Sequence, residues 1–195
     1  MAQVRFGIVG CGAIATLHHI PNLKRTPGAE IVAVADKDRR RAEETASKFG
    51  IPQSYVDHEK LIDKADIDAL VVCTPTKYHA SAVIDALEEK RHVFCEKPMC
   101  LTLEEADRII RSAAGSNSRF MVGYNLRFTN LFQEVKDMVS RGEIGKLVQT
   151  ECSFCVPGPK KWPAATDFYQ RKDLGGGALF DSGSHAIDLL RWIAG

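Results

Sequence analysis

The sequence lacks any apolar run near the roughly 18 residues that a membrane span requires. It also lacks the apolar segment behind a basic N-terminus that marks a signal peptide. Charge of one sign is not in excess, because 26 lysines and arginines stand against 25 acidic residues, giving a net charge of +1. These absences argue against membrane insertion, secretion and nucleic-acid binding. We expect a cytoplasmic protein whose 195 residues, 45% of them hydrophobic, suffice for one domain and part of another.

Cysteine occurs six times, but not in a pattern typical of metal sites or disulfide frameworks. Cys11, Cys73 and Cys95 lie within or at the ends of apolar runs, where a free cysteine behaves as a small hydrophobic residue. Cys152 and Cys155 have the C-x-x-C spacing, but in a predicted strand such residues point to opposite faces. No second pair completes a tetrahedral site. We therefore predict reduced structural thiols and no bound metal.

The first 124 residues alternate between short β-rich runs and helical patterns. The predicted strands are 4–9, 30–35, 67–73, 92–95 and 120–123, with a weaker strand near 53–55. The predicted helices lie near 13–25, 38–49, 58–64, 79–89 and 103–114. This alternation predicts right-handed crossovers and a parallel sheet, a Rossmann-type doubly wound α/β fold.

The pattern changes after Tyr124. A helix is predicted near 128–140, a strand near 147–156 and a final helix after the glycines at 175–177. One strand and two helices are too few to bury a sheet face. Either this segment packs against the first domain, or the chain is part of a longer protein. We expect the second, with 125–195 as the beginning of a second, incomplete α/β domain.

A glycine turn at 10–15 has the form G-x-G-x-x-A, follows a predicted strand and opens a predicted helix. Its first glycine permits a tight turn, and its second lets the backbone approach a pyrophosphate at the helix N-terminus. Asp36 ends the next predicted strand, about 20 residues further on, where a carboxylate reaches ribose hydroxyls. Thr74-Pro75 ends another strand and is placed to line the same cleft, although a simple strand-ending turn is an equal alternative.

The charge of Asp36 favours NAD, because it repels the 2′-phosphate of NADP. Lys37, Arg39 and Arg40 follow at once, and they could accommodate that phosphate if Asp36 turned away. We predict NAD as the cofactor, with NADP as the alternative.

Glu96-Lys97-Pro98 directly follows the predicted strand 92–95. Ligands of open α/β sheets bind beyond the carboxyl ends of the strands, so Lys97 is aimed at the ligand crevice. In isolation the segment is more typical of an ordinary charged loop, and the rest of the chain reverses this interpretation.

Asp181, His185 and Asp188 have the i, i+4, i+7 spacing of one helix face on the predicted final helix. A carboxylate beside a histidine supports proton transfer near neutral pH. The alternative is a solvated polar face without chemistry.

Taken together, these segments resemble the glucose–fructose oxidoreductase and inositol dehydrogenase family (Gfo/Idh/MocA). The resemblance runs through 10–15, 73–79, 92–98, 122–128, 142–146 and 175–185. Its most specific elements are the E-K-P segment at 96–98 and the G-G-G-A-L-x-D-x-G-x-H segment at 175–185.

The resemblance implies an NAD-binding Rossmann domain over 1–124 and a C-terminal α/β domain, for substrate binding and oligomerisation, from 125. The implied cofactor-binding residues are Gly10, Gly12, Ala13, Ile14, Asp36, Lys37, Thr74, Pro75, His79, Glu96 and Lys97. The resemblance also implies a homo-oligomer (dimer or tetramer) for the full-length form, and a cis peptide bond before Pro98.

The family's members transfer a hydride between nicotinamide and a secondary alcohol or carbonyl of sugars, polyols or related cyclic substrates. By resemblance, Lys97 stabilises the reacting oxygen and His185 is the general acid/base, assisted by Asp181. Tyr124, Asn125 and Arg127 are implied to lie close to the substrate, together with Asp181 and His185.

Substrate selection is expected to involve the loop 157–174. Its candidate residues are Lys160, Lys161, Trp162, Tyr169 and Arg171. Trp162 and Tyr169 could stack on a sugar face, or serve only to anchor the loop by packing. Two other functions stay open: a glycoside hydrolase that uses bound NAD for transient oxidation and elimination, and a non-catalytic dinucleotide-binding protein.

Overall fold

The computed structural model describes residues 3–155 and 167–195, which form two compact units, one through Val122 and one over Gly123–Gly195. Within those described ranges, no helix is both long and apolar enough to cross a membrane.

The first unit is built on one six-stranded parallel sheet. The strands are β1 (Val4–Val9), β2 (Ala29–Ala35), β3 (Gln53–Tyr55), β4 (Ala69–Val72), β5 (His92–Cys95) and β6 (Phe120–Val122). Their order is β3-β2-β1-β4-β5-β6, with every neighbouring pair parallel. The order reverses between β1 and β4, so a crevice opens there beyond the carboxyl ends of the strands. The predicted Rossmann-type doubly wound sheet is confirmed.

Helices connect these strands. They are α1 (Ile20–Arg25), α2 (Arg39–Phe49), α3 (His58–Lys64), α4 (His79–Glu88) and α5 (Leu103–Gly115). Asp38 and Asp57 cap α2 and α3 by accepting backbone N–H bonds, and Thr102 begins α5 with a capping box. These capping residues explain why the predicted and observed starts of α2, α3 and α5 differ by at most one residue.

The core of the first unit covers both faces of the sheet. Ile8 and Val34 belong to one buried cluster, and Leu70, Val72 and Ile109 belong to the other. β4 is buried at every position, which accounts for its uninterrupted apolar sequence. Burying each such side chain stabilises the fold by about 1.5–3 kcal/mol.

The second unit contains α6 (Asn130–Ser140) and α7 (Ser184–Ala194). Leu189 of α7 is 2% exposed, and Lys136 Nζ of α6 donates to the Ile193 carbonyl at 3.4 Å. The predicted strand at 147–156 is wrong over its described part, because 147–155 form neither strand nor helix. A strand needs a hydrogen-bonded neighbour, and the described residues of this unit include no other strand.

Candidate functional site

The turn at Gly10 lies between β1 and the first helical segment. Gly10 has φ +91°, and a Cβ there would lie 2.7 Å from the carbonyl carbon and oxygen of Cys73. Only glycine fits this contact, which joins the ends of β1 and β4. Gly12 is different, since a Cβ added to it would meet no atom within 4 Å. The backbone at Gly12 is therefore open to a ligand, while Ala15, fully buried, packs against the sheet.

The Asp36 carboxylate fixes this turn to the end of β2. Asp36 is 8% exposed, and its Oδ2 accepts the Cys11 N–H at 2.9 Å. Its Oδ1 accepts the Asp38 N–H, also at 2.9 Å. A carboxylate has about four acceptor sites, so two backbone bonds leave capacity for ribose hydroxyls. Turning Asp36 away would break both bonds, which disfavours the movement that a 2′-phosphate would need.

The basic residues near Asp36 are arranged differently from the sequence prediction. Arg41 Nη1 lies 3.6 Å from Asp36 Oδ2. Arg39 and Arg40 instead pair with glutamates one turn further along the exposed face of α2. The sequence prediction missed Arg41 because it considered only the basic residues nearest to Asp36 along the chain. The N-cap at Asp38 is the signal that could have found it, since it sets which first-turn residues face back toward Asp36.

Thr74 and Lys37 lie at the same end of the sheet. The Thr74 Oγ1 is buried and has no hydrogen-bond partner among residues 3–155 and 167–195. Lys37 Nζ lies 5.6 Å from the centroid of the Tyr78 ring. An orphaned hydroxyl, an open Gly12 backbone and a fixed carboxylate form a donor and acceptor set that fits a dinucleotide.

Glu96 and Lys97 follow β5, and the Lys97–Pro98 peptide bond is cis, as predicted. Glu96 Oε1 lies 2.7 Å from Nε2 of His19, and its Oε2 accepts the Lys97 N–H at 3.1 Å. Burial acts to raise the pKa of Glu96, but the hydrogen bond and charge of His19 and the Lys97 amide outweigh it and lower that pKa. Glu96 is thus held as a carboxylate, by a histidine that sequence reasoning did not single out.

His79, at the start of α4, is 1% exposed. Its Nδ1 lies 2.9 Å from the Pro98 carbonyl oxygen and its Nε2 lies 2.8 Å from the Thr74 carbonyl oxygen. Burial lowers the pKa of His79 against the opposing effect of these carbonyls. Both ring nitrogens are engaged by the protein, so His79 ties two strand-end loops together rather than presenting a polar atom to a ligand.

The buried thiols at these strand ends are unreactive. All six cysteines are free, and burial raises the pKa of Cys11 to about 12 and those of Cys73 and Cys95 well above the ordinary value. A thiol is nucleophilic only as the thiolate, so these three act as core residues.

In the second unit the triple glycine begins a tight turn. A Cβ on Gly176 would lie 2.2 Å from the Phe168 carbonyl oxygen, so no other residue fits this approach. A π-helical turn, Leu179–Gly183, follows and leads into α7. Asp181 lies in this π-turn, where the α-helical spacing to His185 does not apply. π-turns are frequent at functional sites.

Two aromatic rings lie beside the His185 imidazole. The Tyr124 ring meets it edge-on, with centroids 6.0 Å apart, and the Phe154 ring stacks on it at 6.3 Å. The described parts of this unit thus bring together two predicted residues, Tyr124 and His185, and one that was missed. Phe154 lies in the segment predicted to be a strand, so no helical or motif spacing connected it to His185.

Arg127 and Asp188 form a bidentate ion pair. Arg127 Nε donates to Asp188 Oδ2 at 2.7 Å, and Nη2 donates to Oδ1. Asp188 is only 9% exposed, and the Arg127 guanidinium lies 6.0 Å from the Tyr124 ring centroid. The pair therefore joins α7 to the 3₁₀ turn Asn125–Phe128.

The candidate residues are divided between the two units. Lys97 belongs to the first unit, whereas Asp181 and His185 belong to the second. Asn125 is exposed on its 3₁₀ turn. Trp162, predicted to contact substrate, lies outside the described residues.

Two family profiles match this chain. Residues 4–124 match the oxidoreductase family with an NAD-binding Rossmann fold (GFO_IDH_MocA), and residues 132–195 match the C-terminal domain of that family.

Individual proteins match over nearly the whole chain. A myo-inositol 2-dehydrogenase of Thermotoga maritima is 33% identical over 192 residues, which are 98% of this chain and 55% of the relative. A dTDP-3,4-didehydro-2,6-dideoxy-alpha-D-glucose 3-reductase of Saccharopolyspora spinosa is 33% identical over 92% of this chain and 53% of its own. The structure of the WlbA dehydrogenase of Bordetella pertussis with NADH and UDP-GlcNAcA matches with a TM-score of 0.87 and 26% identity, over 99% of this chain and 59% of that one. The chain thus spans little more than half the length of these relatives.

Proposed function

The chain belongs to the Gfo/Idh/MocA family of oxidoreductases, and on that premise we propose an NAD(P)-dependent oxidoreductase. The reaction proposed is hydride transfer between nicotinamide and a secondary alcohol or carbonyl of a sugar, polyol or related cyclic compound. The observation that carries the proposal is the crevice end of the parallel sheet, where the Gly10 turn, Asp36 and Lys97 all follow strand ends.

NAD is the preferred cofactor in this proposal, and when bound it supplies or accepts the hydride. Asp36 would accept hydrogen bonds from the ribose hydroxyls while keeping its bonds to the turn. The open backbone at Gly12 would admit the pyrophosphate, and Thr74 Oγ1 would gain the partner that it lacks within the described chain. Asp36 disfavours NADP, because a 2′-phosphate beside a fixed carboxylate costs electrostatic energy.

Lys97 would stabilise the negative charge that develops on the reacting oxygen. An ammonium is an effective donor for this purpose when its backbone is fixed before the reaction begins. That fixation is supported by the bond from the Lys97 amide to Glu96 and by the contact of His79 with the Pro98 carbonyl.

His185 would move the proton of the substrate hydroxyl, with Asp181 assisting. The Tyr124 and Phe154 rings support this role, because their contacts restrict the orientation of the imidazole. Arg127 would act mainly through the structure, since its guanidinium is engaged by Asp188.

The substrate class is supported by the relatives. Their names refer to an inositol and to a deoxy-sugar nucleotide, and one related structure holds UDP-GlcNAcA. All three are hydroxyl-bearing rings, so the proposed substrate is a cyclic polyol or a sugar.

The first test is calorimetric titration of the chain with NADH and with NADPH. Tighter binding of NADH, lost in Asp36→Ala, supports the cofactor assignment. The second test follows NADH formation with inositols and nucleotide sugars. Lys97→Met and His185→Ala should abolish turnover.

Other results would redirect the assignment. Release of free sugar from a glycoside without net NADH formation would indicate the redox-elimination hydrolase. Tight NADH binding with no turnover of any hydroxyl compound would indicate a non-catalytic dinucleotide-binding protein. Equal or tighter NADPH binding would contradict the preference that Asp36 supports.

A further inference from the structure

Two histidines hold the residues on either side of Lys97. His19 contacts the Glu96 carboxylate, which precedes the lysine, and His79 contacts the Pro98 carbonyl, which follows it. His79 is fully buried, so its substitution would disturb the core. The His19 side chain is 19% exposed and can be changed more safely.

His19 ends the π-helical turn Ala15–His19, which begins three residues after Gly12. Its ring meets the Phe94 ring edge-on, with centroids 5.3 Å apart, and this contact sets the ring orientation. Its Nε2 lies 2.7 Å from Oε1 of Glu96, and Oε2 of the same carboxylate accepts a hydrogen bond from the Lys97 amide. A continuous line of contacts therefore runs from the dinucleotide turn to the backbone of Lys97.

We propose that His19 is a positioning residue for Lys97, which acts through Glu96 and couples the lysine to the dinucleotide turn. The inference rests on the proposed function, because it assigns Lys97 a place at the cofactor. Within the described residues, Glu96 faces a mixed environment. The groups that interact with it electrostatically are His19, His79, Lys97 and the thiols of Cys73 and Cys95. Among them, His19 and the Lys97 amide give Glu96 its hydrogen bonds.

The test uses two variants at position 19. His19→Phe keeps a ring against Phe94 but removes the donor to Glu96. His19→Gln places an amide nitrogen near the position of Nε2 and so keeps a donor. A merely structural histidine would predict similar behaviour for both variants, whereas a positioning role requires that glutamine restore what phenylalanine removes.

A matched control is available in the same unit. His58 Nε2 contacts Asp85 at 2.8 Å, and the His58 side chain is also 19% exposed. The pair joins α3 to α4 and lies outside the candidate cofactor site. His58→Phe therefore removes a histidine–carboxylate contact of nearly the same length without touching Glu96.

Two measurements are made on each of these variants. The first is the pKa of the Glu96 carboxyl, measured by carbon NMR and assigned with Glu96→Gln. The second is the protection of Lys97 by NADH against acetylation, quantified by peptide mass spectrometry, together with the NADH dissociation constant.

His19→Phe should raise the Glu96 pKa, because burial is no longer opposed by the histidine. It should weaken NADH binding about tenfold and remove most of the Lys97 protection. His19→Gln should recover most of the NADH affinity and most of the Lys97 protection. His58→Phe should leave these two quantities at the wild-type level.

The inference would be overturned if His19→Phe bound NADH with wild-type affinity and NADH protected its Lys97 as in the wild type. It would also be overturned if His58→Phe lost as much NADH affinity and Lys97 protection as His19→Phe. If the wild-type chain does not bind NADH, the proposed function fails instead. The Glu96 titration then still decides whether His19 holds Glu96, and an unchanged pKa in His19→Phe would overturn that.

Discussion

In the first unit the candidate residues follow the ends of hydrogen-bonded strands, whereas in the second they lie on two short turns and at the start of α7, where side chains contact one another. Asp36 and Lys97 owe their places to β2 and β5, whose backbones are fixed by neighbouring strands. His185 owes its place to aromatic rings and to an ion pair beside it. In the first arrangement the main-chain bonds persist when a side chain is changed, whereas in the second the side chains themselves provide the contacts.

The two regions also share a feature. Each has a glycine without room for a Cβ, Gly10 and Gly176, followed by a π-helical turn that leads into a helix. Close backbone approach before a widened helical turn thus occurs at both candidate motifs. The comparison suggests variants that separate backbone fixation from side-chain fixation.

The glycine turn should show the largest effect. Gly10→Ala should destabilise the fold by about 3 kcal/mol or more, because its Cβ meets the Cys73 carbonyl at 2.7 Å and its φ is positive. Gly12→Ala should leave the stability nearly unchanged, since nothing lies within 4 Å, yet it should weaken NADH binding. Urea unfolding and calorimetry measure the two quantities. Equal stability losses in the two variants would contradict this account of the turn.

The buried ion pair of the second unit should show the next effect. Arg127→Ala should cost about 2–3 kcal/mol, because it leaves the Asp188 carboxylate buried without its bidentate partner. Arg141, whose ion pairs are exposed, provides the control, and Arg141→Ala should cost less than about 1 kcal/mol. Hydrogen exchange of the backbone amides of α7 shows whether the stability is lost in that helix. Similar costs for both variants would mean that side-chain pairs do not hold this unit.

The first unit has its own arginine–aspartate pair, but it is more exposed. Arg5 holds the pKa of Asp68 at about 2, through its side-chain and backbone hydrogen bonds. Because the folded pKa is lowered, the stabilisation is present above the unfolded pKa near 4 and is lost as pH falls through 2. Asp68→Asn should cost about 1 kcal/mol at neutral pH after solvent screening and nothing below pH 2. A cost that does not change with pH would show that the charge of Asp68 is not the cause.

The aromatic contact of His185 should show the smallest effect on stability. Phe154→Leu should change the unfolding free energy by about 1 kcal/mol or less, because Phe154 is 39% exposed. It should nevertheless shift the His185 ring proton resonances, since a stacked ring shields them. Unchanged resonances would show that the Phe154 ring does not stack on His185 in solution.

Local sequence rules predicted the first unit well. The periodicity of the hydrophobic residues and the helix-capping residues predicted most of its strands and helices to within a few residues. The G-x-G-x-x-A turn, Asp36 and the E-K-P segment each follow a strand. Such features depend on contacts close along the chain, where propensity and pattern are informative. The same rules failed at 147–155, because a strand exists only with a partner.

The sequence by itself determined which segments of the first unit would be strands, where the dinucleotide turn would form, and that the lysine would follow a strand. The tertiary structure alone decided which side chains pair. Glu96 contacts a histidine 77 residues away, and Arg127 pairs with an aspartate 61 residues away. Helical and strand periods carry no information at such separations, because these contacts depend on how whole elements pack.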